Sequence, residues 1–143
     1  VIGRVQIDPA IELKKLDEKT VPKSPGMKYK HYAPKAKVVI VEGEIQNIAS
    51  KINSLVNEYE SKDIKVGILA TDETKHLYPE NLTVSLGSRV SPETIAANLF
   101  NAFRDYDKTD VQIIFAEAID SSGIGLAIMN RMSKAAGYNI IKV

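Results

Sequence analysis

The sequence predicts a small three-layer α/β domain with a mostly parallel sheet, preceded by an extended N-terminal linker arm. Three observations carry this. Apolar, β-branched runs of strand length recur without polar alternation; amphipathic stretches of helix length separate them; and the first 36 residues follow neither pattern. Continuous apolar strands belong to sheets covered on both faces, and their alternation with helices makes parallel crossovers the natural connection.

Val1 to Thr20 is a mixed opening that ends in the charged stretch Glu12 to Lys19, too poor in apolar residues to form a core. Residues 21–36 hold three of the six prolines, which disfavour helix and leave extended or turn conformations. Stretched out, such a segment reaches about 50 Å at roughly 3.3 Å per residue. It reads as an interdomain linker. The expected division is therefore 1–20 as this mixed opening, 21–36 as the linker, and 37–143 as the α/β domain.

"KVVIVEG" (37–43) is a first buried strand that ends in glycine. Ile45, Ile48, Ala49, Ile52, Leu55, Val56 and Tyr59 then recur at helical spacing. "IKVGILA" (64–70) is a second strand, and "NLTVSLG" (81–87) alternates as a shorter one. Ser91-Pro92-Glu93 is a helix start, with Ser at the N-cap, Pro at the first helical position and an acid in the first turn. Ile95, Ala96, Leu99, Phe100, Phe103 and Tyr106 form the stripe of that helix. "VQIIFAEA" (111–118) is another buried strand. A helix over about 124–136 follows, stopped by Gly137, and "YNIIKV" closes the chain as a last strand. The pattern is Rossmann-like.

With 143 residues, 44% hydrophobic and 26% charged, the composition is that of a soluble globular protein with a real core. No apolar run approaches the roughly 20 residues of a membrane helix, so no membrane role is expected. The absence of cysteine excludes disulfides and thiolate metal sites and suits a cytoplasmic location. With only His31 and His76 available, no metal site is expected. The chain opens at Val1 rather than Met, as an excised fragment would. Its net charge of +1 hides an asymmetry: residues 21–41 carry five lysines and no acid, leaving −4 on the other 122 positions. A basic segment on an acidic body points to an anionic partner.

In open α/β sheets ligands sit beyond the carboxyl ends of the strands. Four loops qualify: Glu42-Gly43-Glu44, Thr71-Asp72-Glu73, Gly87-Ser88-Arg89 and the loop from Glu117 to Gly125. In the last, Ser121, Ser122, Gly123 and Gly125 are candidates to present backbone N–H groups to an anion at a helix start. Close helix–strand packing explains both glycines without a ligand, and the third glycine of a dinucleotide fingerprint is missing. Asn130 and Arg131 sit mid-helix, either as ligand or interdomain contacts or as an ordinary solvated pair. Ala127, Ile128, Met129, Met132, Ala135 and Ala136 are expected to supply that helix's buried faces. His76, and Arg104, Asp105 and Asp107, read as surface residues. There is no nucleophile elbow and no phosphate-binding loop of the P-loop pattern, so no catalytic residue is assigned to the chain.

The linker motif differs. Ser24-Pro25-Gly26-Met27 suits a type II turn, and Lys28 and Lys30 then alternate with Tyr29 and His31 on an extended segment. Cationic ends and aromatic rings on a preset backbone can close over a charged planar ligand.

"SPGMKYKHYAP" (24–34) resembles the interdomain linker of the long, two-domain form of threonylcarbamoyl-AMP synthase, with its SPGM-K/R-x-x-HYAP motif. "NLFNAFRDYD" and "GIGLAIMNRMSKAAG" resemble segments of that family's C-terminal domain, with Met132 where Leu is commoner. The resemblance implies that the catalysis belongs to an N-terminal YrdC-like domain absent from this chain, of which residues 1–20 would be the trailing edge. There ATP, L-threonine and bicarbonate, with Mg²⁺, become threonylcarbamoyl-AMP and pyrophosphate, for threonylcarbamoyladenosine in tRNA. It also implies that Ser24, Pro25, Gly26, Met27, Lys28, Tyr29, His31, Tyr32 and Pro34 line or lid that domain's cleft, and that this chain alone is inactive. The resemblance attaches no cofactor to this chain itself. Two alternatives stand beside it: a nucleotide- or small-ligand-sensing module, and an RNA-binding module built on the lysines.

Overall fold

Long β-branched runs and well-spaced amphipathic stretches produce the predicted strands and helices in order, with the strand expected over 81–87 shortened to Thr83–Ser85 behind two 3₁₀ turns that the pattern did not mark. The computed structural model describes residues 34–120 and 122–143. The expected linker residues from Ser24 to Tyr32, and Ser121, lie outside the described residues. The elements are β1 (Lys37–Glu42), α1 (Ile45–Glu60), β2 (Val66–Ala70), two 3₁₀ turns (Lys75–Leu77 and Glu80–Leu82), β3 (Thr83–Ser85), α2 (Pro92–Asp107), β4 (Ile113–Glu117), α3 (Ile124–Ala135) and β5 (Ile140–Lys142).

All five strands are parallel, in the order β3-β2-β4-β1-β5. The chain runs from β1 past β4's place to β2 and β3 at one edge, then returns through β4 to β5 at the other. Right-handed crossovers that reverse direction must change face. Accordingly α1 packs on one face, over Val39, Val41, Val66, Ile68, Ile113 and Phe115. The alternate strand residues Val38, Ile40, Leu69, Ile114 and Ala116 are buried on the other. There α2 and α3 pack against each other, burying Ile95, Leu99 and Phe103 from α2 and Ile128 and Met132 from α3.

Three local details depart from expectation. Ser91 precedes α2, but its hydroxyl makes no cap bond. Thr94 does the tying instead: its Oγ1 donates to the Ser91 carbonyl at 2.7 Å and accepts the Ser88 N–H at 3.2 Å. Ala127 on α3 is exposed, and Met129 and Ala135 are half-buried; Gly125, Ile128 and Met132 form that helix's inner face. Asp107 is more than a solvated end, because its Oδ1 accepts the Lys35 N–H at 2.8 Å. With Pro34 buried beside it, this bond fixes the chain as it enters the domain at the amino-terminal end of β1.

Candidate functional site at the carboxyl edge of the sheet

Reversal of the chain path puts two changes of exit direction side by side. β1 and β2 lead to connections on the α1 face, whereas β4, lying between them, leads to α3 on the other. Crevices at such reversals are where open α/β sheets take ligands. Three of the four loops expected from sequence meet here: Thr71-Asp72-Glu73 after β2, Gly87-Ser88-Arg89 after β3, and the start of the Glu117 to Gly125 loop after β4.

The centre is Glu117, the last residue of β4, with a side chain only 1% exposed. A buried carboxylate needs partners, since desolvation without them costs several kcal/mol. Glu117 has three. Thr74 Oγ1 donates to its Oε1 at 2.7 Å, Arg89 Nη2 donates to the same oxygen at 2.8 Å, and the Tyr78 hydroxyl donates to Oε2. Burial, together with the bond to Glu117, pushes the Tyr78 phenol far above its ordinary pKa, so it stays a donor.

Arg89 reaches further. Its Nε donates to Thr71 Oγ1 at 3.1 Å and its Nη1 to the Ala118 carbonyl at 3.3 Å. Its backbone is held as well, because Glu73 Oε1 accepts the Arg89 N–H at 2.9 Å and Glu73 Oε2 accepts the Ser88 hydroxyl at 2.6 Å. These bonds, that of Ser88 first, hold the Glu73 carboxyl below the usual carboxylate range. The result is a lattice across the ends of β2, β3 and β4, with one guanidinium as its hub. Removing one partner of such a pair costs about 3–5 kcal/mol, since the other charge is left buried and unpaired.

The loops of this lattice were legible in the sequence; the pairing was not. Arg89 and Glu117 lie 28 residues apart on different elements. The one local signal is an ionisable residue closing the apolar run of β4, where burial demands a cation or several donors.

Of the residues proposed from sequence to bind a ligand, the described ones, Ser122, Gly123, Gly125, Asn130 and Arg131, lie outside this lattice. Ser122 is exposed, with its hydroxyl donating to Asp120 Oδ2 at 3.1 Å. Gly123 precedes α3 with φ 58° and open space where a side chain would stand. At Gly125 a Cβ would lie 1.8 Å from the Asp120 carbonyl oxygen, so close packing against the loop requires that glycine. Asn130 and Arg131 are exposed on the outer face of α3. A recess of about 520 Å³ lies at the opposite edge, lined in part by Asp63, Lys65, Leu82, Tyr106 and Asp110, and none of the predicted site residues borders it. Among the described residues no group of three or more His, Cys, Asp or Glu side chains gathers to hold a metal ion. No helix among them is long and apolar enough to cross a membrane.

The family model for the threonylcarbamoyl-AMP synthase C-terminal domain matches residues 2–137. The chain belongs to that family. Threonylcarbamoyl-AMP synthases of Pyrococcus abyssi and Bacillus subtilis are 43% and 41% identical to it, covering 100% and 99% of this chain. The chain spans about 39% of the length of these relatives. A crystal structure of P. abyssi Sua5 complexed with L-threonine superposes with a TM-score of 0.71 at 41% identity, over 99% of this chain and 39% of that one. A variant of the same Sua5 with a neighbouring His and Tyr replaced by Ala has also been solved. The isolated C-terminal Sua5 domain of Pyrococcus horikoshii, 39% identical with a TM-score of 0.61, is covered in full by 78% of this chain. Membership of the threonylcarbamoyl-AMP synthase family thus accords with the linker motif and with the all-parallel sheet.

Proposed function

We propose that this chain is the linker and accessory domain of an L-threonylcarbamoyladenylate synthase. The parent enzyme would convert ATP, L-threonine and bicarbonate into threonylcarbamoyl-AMP and pyrophosphate, supplying the threonylcarbamoyl group of a modified adenosine in tRNA. The observation that carries this reading is 43% identity to such a synthase across all 143 residues, linker motif included.

In this reading the chemistry belongs to the preceding YrdC-like domain, and this chain supplies a lid. A carbamoyl-adenylate is lost to water unless it is enclosed, and an ordered segment over the cleft excludes water. Lys28 and Lys30 would offset phosphate charge, and Tyr29, His31 and Tyr32 would cover the entrance. The L-threonine bound to the P. abyssi relative, and the solved variant lacking a His and a Tyr, support attention to this substrate and to the His31-Tyr32 pair. The α/β domain's part is to hold one end of the lid, through buried Pro34 and the Lys35–Asp107 bond.

The test uses the purified full-length parent enzyme. Tyr32→Ala is expected to lower pyrophosphate release from ATP, threonine and bicarbonate at least tenfold while the unfolding temperature stays unchanged. An unaltered rate removes the lid. The 143-residue chain itself is expected to release no pyrophosphate, and steady turnover by it would sink the assignment of chemistry to the preceding domain. A sensing role for Ser121, Ser122, Gly123, Gly125, Asn130 and Arg131 makes a different prediction, namely saturable heat on titrating the chain with ATP, AMP or threonylcarbamoyl-AMP. A tRNA-binding role predicts gel shifts that weaken steeply with salt.

A further inference from the structure

We propose that Arg89 is a built-in ligand: its side chain fills the crevice between β2 and β4, and the pocket beneath it is a guanidinium site that the chain occupies in cis. β2 and β4 are neighbours whose connections leave on opposite faces, the place where sheets of this kind take small molecules. The guanidinium spans that gap. It touches Thr71 just beyond β2 at 3.1 Å, Ala118 just beyond β4 at 3.3 Å, and Glu117 at the end of β4 at 2.8 Å.

All three groups that receive it are oxygens: a hydroxyl, a carbonyl and a carboxylate. Such a set matches the planar fork of a guanidinium, which has five N–H donors and no acceptor. It repels phosphate, which would face the Glu117 carboxylate and the Ala118 carbonyl without a donor from either. A nucleotide entering here must expel Arg89 and leave Glu117 buried without its cation, the costly half of a broken pair. The crevice is therefore closed to anions by its own side chain, and any nucleotide sensing by this domain must use another surface. Emptied of Arg89, the same pocket would accept a small guanidinium cation.

The experiment uses the full 143-residue chain and has two independent arms. In the first, Arg89→Ala is expected to lower the thermal midpoint by on the order of 10 °C. N-ethylguanidinium chloride at millimolar concentration should then raise the variant's midpoint, by about 4 °C when it stands at ten times its Kd. Ethylammonium chloride at equal ionic strength should not, the wild-type chain should not respond, and adding Glu117→Gln should abolish the rescue. No rescue, or equal shifts in wild type and variant, overturns the proposal. The second arm needs no variant and decides the matter if Arg89→Ala fails to fold. Amide resonances of Thr71, Glu73, Arg89 and Ala118 in the wild-type chain should not move with ATP or pyrophosphate at millimolar levels beyond a chloride control. A saturable shift at these positions would show the crevice open to phosphate and overturn the assignment.

Discussion

Tyr106 shows how one side chain can complete a sheet that its own strands leave unfinished. β3 begins only at Thr83, opposite Ile68, so β2 has a free edge just before that point. The Tyr106 hydroxyl fills it, accepting the Ile68 N–H at 3.1 Å and donating to the Leu82 carbonyl at 2.9 Å or the Ile68 carbonyl at 3.0 Å. The ring can lie there because residue 67 is glycine; a Cβ at Gly67 would stand 2.7 Å from the ring. Gly67→Ala should therefore cost about 1–3 kcal/mol in urea unfolding, and a Tyr106→Ala background should erase most of that penalty. An unchanged penalty in the double variant would show that the clash lies elsewhere. Burial pushes the Tyr106 phenol up to about 12. Its folded pKa thus stands above the unfolded value near 10, so its contribution is full below pH 10 and is lost as pH rises from 10 towards 12. Wild-type stability should fall more steeply than that of Tyr106→Phe across this window, by up to about 1.4 kcal/mol per pH unit. Parallel curves would contradict the burial argument. Neither Tyr106's bonds nor the Arg89–Glu117 pair could be read from the sequence. Periodicity marks which face of an element is buried, but the partner of a polar group inside that face is set by strand order.

At the scale of elements, the helix ends were legible from the apolar stripes, but the residue that closes a helix was legible only where it is glycine. α3 closes with the Tyr138 N–H on the Ser133 carbonyl at 2.8 Å and the Gly137 N–H on the Lys134 carbonyl at 3.1 Å, around a Gly137 φ of 61°. Gly137 announced this stop. α1 ends with the same pair of bonds, Ile64 N–H to the Tyr59 carbonyl at 3.1 Å and Asp63 N–H to the Glu60 carbonyl at 2.9 Å, yet the left-handed position, φ 65°, is held by Asp63. Aspartate tolerates that conformation but pays for its Cβ, and glycine does not. Asp63→Gly is expected to stabilise the domain by about 0.5–1 kcal/mol, read as a higher urea midpoint at unchanged slope. A lower midpoint would mean that the carboxylate contributes more than its backbone strain costs. The predicted N-cap of α2 shows the opposite limit. Ser91 has the preferred residue type, but its hydroxyl makes no cap bond, and Thr94 ties the turn from inside the helix.

For the molecule as a whole, the three-layer architecture was legible because the three central strands, β2, β4 and β1, are apolar enough for burial on both faces and every helix carries one stripe. Strand order was not, because parallel pairs join residues far apart in sequence, such as Lys37 with Ile113, and no local pattern encodes that register. The architecture leads to a test of autonomy. The described core draws on Ala36 to Ala136, and both faces of the sheet are covered by α1, α2 and α3. The isolated C-terminal domain of the P. horikoshii relative is matched in full by 78% of this chain, so a unit of that extent has already been solved alone. A chain beginning at Ala33 is thus expected to unfold cooperatively, with a midpoint within about 5 °C of the 143-residue chain. Pro34 and the Lys35–Asp107 bond are kept in it. Asp107→Ala in the shortened chain should release that entry point, speeding hydrogen exchange at Lys35 while Ile40 and Ile114, central in the sheet, keep the protection of global unfolding. Exchange that accelerates equally at all three positions would show that the entry bond holds up the whole domain. Loss of cooperative unfolding on removing residues 1–32 would show that the core drawn here is incomplete.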